Sequence, residues 1–100
     1  MNKVLLVGRL TTDPELRVLS SGKSVLTFSL ATSELSADGA ERTEYTPTVA
    51  WDRLAETGAG ILRKGQKVAI DGRLQTRSWD DDRGNRHWKT EVVASTIESL

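Results

Sequence analysis

Between Lys67 and Arg77 the chain alternates with a period of two. Val68, Ile70, Leu74 and Thr76 fall on one side, and Lys67, Ala69, Asp71, Arg73, Gln75 and Arg77 on the other. That spacing predicts a β-strand with one buried and one polar face. Gly72, in mid-strand, predicts a sharp bend or a close backbone approach. Residues 24–33 alternate most clearly, with Leu26, Phe28 and Leu30 opposite Val25, Thr27, Ser29 and Ala31. Residues 2–10 predict an earlier strand whose Val4, Leu6 and Leu10 face the core, with a bend at Gly8. Its other face carries Leu5 and Val7. A strand apolar on both faces is covered on both sides or used for association.

Turn chemistry divides these runs. Asp13-Pro14-Glu15 is a turn, Arg17 to Leu19 a short extension, and Ser20-Ser21-Gly22-Lys23 a hairpin connection. Residues 34–42 predict a polar loop around Asp38-Gly39. Thr43 to Trp51 reads as a third strand. Pro47 cannot donate to a ladder, so the strand should be an edge there, or bulged. The period then changes. Leu54, Ala55, Gly58, Ile61 and Leu62 repeat at helical spacing, with Asp52 as N-cap and the stop at Gly65. Arg63 and Lys64 suit the negative end of the helix dipole. Residues 66–77 form the fourth strand, 80–85 a hairpin tip, and Trp88 to Ile97 the fifth strand. In that strand Val92 and Ala94 alternate with Glu91, Val93 and Ser95. The order predicts an all-β OB-fold over residues 1–100 as a single domain. That is a five-stranded Greek-key barrel with one short helix between strands three and four.

Composition narrows the chemistry. There is no cysteine, hence no disulfide, thiolate metal site or cysteine nucleophile. Residues 1–20 carry no signal-peptide pattern. No apolar run approaches the ~20 residues that cross a bilayer. A soluble cytoplasmic protein is expected. The single histidine, His87, has no serine or cysteine partner pattern. Gly58-x-Gly60 lies inside the predicted helix rather than after a strand. Asp80-Asp81-Asp82 are consecutive, point apart in an extended segment, and read as a solvated loop. No enzymatic activity, metal or cofactor is expected.

Fourteen basic and fourteen acidic residues give zero formal net charge, which weighs mildly against nucleic acid. Distribution matters more. Bases line the outward face of the Lys67–Arg77 strand and recur at Arg83, Arg86 and Lys89. Trp79 follows Arg77 on that face. An aromatic ring beside a guanidinium can stack a base and neutralise a phosphate together. Tyr45 alternates outward on strand three. Trp51 either closes the barrel or faces out, and Trp88 either packs within the hairpin or stands exposed. Arg73 and Arg77 are the first candidates for phosphate, and Lys3, Arg53, Lys64, Arg86 and Lys89 the second.

Motifs along nearly the whole chain resemble the bacterial-type single-stranded DNA-binding protein family. They are Asn2-Lys3-Val4 through Gly8-Arg9-Leu10, Asp13-Pro14-Glu15-Leu16-Arg17, and Thr27-Phe28-Ser29-Leu30-Ala31-Thr32. Trp51 with Leu54-Ala55-Glu56, Leu62-Arg63-Lys64-Gly65 through Gly72-Arg73-Leu74-Gln75-Thr76-Arg77-Ser78-Trp79, and Thr90-Glu91-Val92-Val93 complete them. The resemblance implies sequence-tolerant binding and protection of single-stranded DNA in replication, recombination and repair. It also implies a homotetramer, and a cytoplasmic, nucleoid-associated location. By position, Trp79, Tyr45, Trp51 and Trp88 match family aromatics, and Leu5 and Val7 are the association candidates. Leu35 stands where some members have a further stacking tryptophan, Thr46 replaces a histidine linked to subunit contacts, and Pro47-Thr48 replace a valine-rich run. Family members continue past the position of Leu100 into a linker and an acidic tip that recruits replication and repair proteins. Such recruitment is expected only of a natural chain with that tail. Rival readings are a primosome-type accessory OB protein, a structural subunit using its aromatics for a protein interface, and an RNA binder.

Overall fold

Leu26, Phe28 and Leu30, set on one face by alternation, are all buried, and around them the barrel closes. The computed structural model describes residues 1–100. Its elements are β1 (Val4–Leu10), β2 (Glu15–Val18), β3 (Ser24–Leu35), β4 (Glu41–Trp51), α1 (Asp52–Ile61), β5 (Lys67–Asp80) and β6 (Arg86–Ser99). The sheet order is β1-β5-β6-β4-β3-β2, and a further β1–β3 pairing at Arg9↔Ala31 and Leu10↔Leu30 closes five of the strands into a barrel. This is the expected OB architecture. The sixth strand, β2, is the short extension seen in the sequence, now hydrogen-bonded along β3 from Glu15↔Thr27 to Val18↔Ser24. The interior holds Leu10, the β3 trio, Ala50, Ala55, Leu62, Val68, Ile70, Val92 and Ala94, with Val4 and Leu6 packed against them.

Two glycines permit the closure. A Cβ on Gly8 would collide with the Ala31 carbonyl where β1 passes from β5 to β3, and one on Gly72 would collide with the Val93 carbonyl. Both are close backbone approaches in which no side chain fits. At Gly72 the ladder also shifts: Asp71 faces Thr96 but Gly72 faces Ala94, which leaves Ser95 as a bulge in β6. The bulge flips the alternation of β6, so Ile97 rather than an even-numbered residue packs against the core beside Val92 and Ala94.

Several local expectations are corrected. Asp52 is not the N-cap. Trp51 holds that position in an extended conformation without a side-chain cap bond, and Asp52 is the first helical residue, at φ 58°. Aspartate tolerates the left-handed region better than most residues. The helix ends at Ile61 instead of Gly65, because Leu62 turns extended and is fully buried in the barrel. Gly65 takes its φ of 83° in the turn before β5, where its N–H donates to the Leu10 carbonyl at 2.8 Å. Arg63 still serves the helix end, donating to the carbonyls of Ala59 at 3.3 Å and Leu62 at 2.7 Å. Ile61 is exposed, on the shoulder of the face that buries Ala55 and Gly58. Leu74 and Thr76 are exposed although they point inward by phase, since β5 and β6 run past the barrel as a two-stranded arm. Pro47 pairs with Ser29 in an unbroken register, while β6 pairs with β4 only at Thr48 and Val49. The other edge of β4 is therefore open at Pro47, as a proline requires.

Candidate nucleic-acid interface

Register decides which side chains share a surface. Across the arm, Gln75 faces Glu91, Arg77 faces Lys89 and Trp79 faces His87. These residues, with Arg73 and Val93, occupy the outer side of the arm, because facing residues in a ladder point the same way. Where β6 meets β4, Val93 lies beside Val49, and alternation carries the same outer side through Tyr45, Pro47 and Trp51. On β3 it continues through Val25, Thr27 and Ser29. Arg17, Val25, Val49, Trp51, Arg77, Lys89 and Glu91 line one shallow groove on this side, and Thr27, Ser29, Pro47, Lys89 and Glu91 line the next. Three aromatics and four cations thus share one continuous sheet face: Tyr45, Trp51 and Trp79 with Arg17, Arg73, Arg77 and Lys89.

Trp79 is held from two directions. The Arg77 guanidinium lies 4.9 Å from its ring centroid, and the His87 ring stacks on it at 5.6 Å and 21°. Trp79 nevertheless remains 41% exposed, and Tyr45 66%. Arg77 also donates from Nε to Glu91 Oε1 at 3.0 Å, a carboxylate whose side chain is only 6% exposed. Burying that charge is tolerable because the guanidinium pairs with it. Arg73 donates to Gln75 at 3.2 Å and, like Lys89, makes no ion pair, so both are free to meet a polyanion.

The turn at the tip of the arm is set by Asp81. Its Oδ1 accepts the N–H groups of Arg83 and Asn85, each at 2.9 Å, and its Oδ2 meets His87 Nε2 at 2.8 Å. The His87 contact, followed by the backbone N–H of Asn85, holds the Asp81 carboxyl below the usual carboxylate range. Asp38 is lowered in the same way, chiefly by the Ser36 hydroxyl and then the Ala40 N–H, in the β3–β4 turn.

The remaining candidates fall elsewhere. Trp88 faces Ser78 on the opposite side of the arm, with Thr76, Thr90 and Arg86, and is 68% exposed. Arg86 is engaged there by Asp80 at 2.8 Å and Ser78 at 3.2 Å. Lys3 pairs with Asp71 at 2.6 Å, beside the association candidates. Arg53 is exposed on the first turn of α1, and Lys64 in the turn after it, its N–H bonded to Asp13 Oδ1 at 2.7 Å. Leu5 and Val7 are exposed and share a separate depression with Ala69, Asp71, Thr96 and Glu98. Arg17 and Glu91 line the groove, and His87 lies opposite Trp79 on the outer side of the arm, although no sequence pattern marks them as binding residues. Only the cross-strand register places them there, and no local pattern carries that register.

The single-strand binding protein family matches this chain from residue 1 to residue 100. The chain belongs to that family. It is 49% identical over 102 residues to the single-stranded DNA-binding protein of Caldanaerobacter subterraneus subsp. tengcongensis, covering 100% of this chain and 68% of the relative. It is 48% identical over 105 residues to single-stranded DNA-binding protein 1 of Chlorobaculum tepidum, covering 100% and 65%. Single-stranded DNA-binding protein A of Bacillus subtilis is 42% identical over 102 residues, with 100% and 59% covered. The chain therefore spans between 59% and 68% of the length of these family members. No helix is long and apolar enough to cross a membrane.

Proposed function

We propose that this chain binds single-stranded DNA with little regard to sequence, and protects it during replication, recombination and repair. The observation that carries this is the shared outer face, where Tyr45 and Trp51 on β4 lie with Trp79, Arg73, Arg77 and Lys89 on the β5–β6 arm. Every base has a π-face, so stacking on these rings tolerates any sequence, and the cations on the same face neutralise the backbone. Lys3, Arg53, Lys64 and Arg86 are outlying phosphate contacts. Trp88 is reached by a strand that rounds the arm. The names of the relatives support DNA as the ligand. The reading assigns the chain no enzymatic activity and no cofactor, treats residues 1–100 as one binding unit, and places it in the cytoplasm with the nucleoid. Leu5 and Val7, exposed on β1, support self-association, with a homotetramer as the expected state.

The test is a titration of intrinsic tryptophan fluorescence with oligo-thymidine and with duplex DNA across salt concentrations. Strong quenching by the single strand and little by the duplex is expected. Absence of quenching by the single strand at low salt would overturn the reading.

A further inference from the structure

The tip of the arm holds a chain of contacts that simple stacking does not require. His87 sits directly across the ladder from Trp79 and stacks on its ring. The other side of His87 is tied through Nε2 to Asp81 Oδ2 at 2.8 Å, and Asp81 is fixed by the turn through its Oδ1. The turn thus positions the carboxylate, the carboxylate positions the imidazole, and the imidazole supports the indole.

The hydrogen bonding sets the tautomer. An ionised carboxylate only accepts, so Nε2 carries the hydrogen of the neutral ring. Nδ1 makes no hydrogen bond and is where a second proton enters, on a side chain that is 47% exposed. Histidine is the side chain whose charge ordinarily changes between pH 5 and 8. Asp81 stays ionised across that range, because its carboxyl lies below the usual carboxylate range. The charged groups around His87 are few. Arg77 lies over Trp79 and is paired with Glu91, and Lys89 follows on the same face of β6. Asp80 and Arg86 pair with each other on the opposite side of the arm. Asp82 and Arg83 are exposed in the turn. Proton uptake by His87 therefore takes the His87–Asp81 couple from one negative charge to none, beside the ring that meets a base.

We infer that His87 is a positioning residue for Trp79 and that its protonation tightens the grip on a single strand, so that affinity rises as pH falls from 8 to 5.5. The inference rests on the single-strand reading above and adds a regulated contact to it. One added phosphate contact steepens the log affinity–log salt slope by about 0.7, which, taken from equal affinities at 1 M salt, amounts to about eightfold at 50 mM and about threefold at 200 mM per arm engaged.

The experiment measures the affinity of a labelled oligo-thymidine, whose base does not titrate in this range, by anisotropy at pH 8 and pH 5.5 and at both salt concentrations. The intact chain is compared with His87→Gln, which can still donate to Asp81 but gains no charge. The expected result is a pH-dependent gain with a steeper salt slope at pH 5.5 in the original chain, and neither in His87→Gln. A flat profile in the original chain, or the same pH response in His87→Gln, overturns the inference while leaving single-strand binding intact. No binding at either pH overturns both.

Discussion

Trp79 and Trp88 lie nine positions apart on one hairpin, yet the register sends them to opposite sides, so their replacement should have unequal effects. In Trp79→Ala the lost stack is worth ~1–3 kcal/mol per base. The ring is preordered by Arg77 and His87, so little conformational freedom remains to be lost on binding, but part of its surface is already occupied. We take the middle of the range, about 2 kcal/mol, which is about thirtyfold in Kd for each arm engaged. Trp88→Ala removes a ring from the side away from Tyr45 and Trp51 and should weaken binding less than about threefold, roughly 0.7 kcal/mol. Neither ring belongs to the core cluster, so thermal unfolding should shift by no more than a few degrees in either variant. The assay is anisotropy of a labelled oligo-thymidine over a salt series, since removing tryptophans compromises intrinsic fluorescence. The salt slope should be unchanged in Trp79→Ala, because no cation is lost. Equal losses in the two variants, or a loss below twofold in Trp79→Ala, would refute the assignment of the binding face.

Further perturbations probe other parts of the molecule. Gly72→Ala drives a Cβ into the Val93 carbonyl at the bulge and should destabilise the barrel by ~1–3 kcal/mol, seen as a fall in Tm of roughly 4–20 °C. Arg77→Ala strands the buried Glu91 carboxylate and should lower stability by ~1–3 kcal/mol, whereas Arg73→Ala should stay within ~0.5 kcal/mol. Each of these two substitutions should also reduce the salt slope of single-strand binding by about 0.7. Val7→Glu places a charge on the apolar outer side of β1 and should leave the barrel folded by circular dichroism while lowering the mass in sedimentation. An unchanged mass would remove Leu5 and Val7 from any subunit interface.

Local chemistry in the chain was enough for the scaffold. Alternation at Leu26, Phe28 and Leu30 fixed the inward side of β3, and glycines at positions 8 and 72 announced where backbones would touch. One helical run between extended segments then led to the OB order. These signals are legible because burial and steric exclusion act on each residue's own side chain. Tyr45, Trp51, Trp79, Trp88, Arg73 and Arg77 could be named as candidates from their side-chain chemistry, outward alternation and match to family positions. The assembly of all but Trp88 into one face could not, since it depends on the hairpin register that sets Arg77 opposite Lys89 and on the pairing of Val49 with Val93 from distant segments. The bulge at Ser95, the exit of Leu62 from the helix into the core, and the stacking of His87 on Trp79 belong to the same class. The first two arise where closing the barrel overrides local propensity and the third from the pairing of the arm, because register and packing across strands are properties of no single stretch of chain.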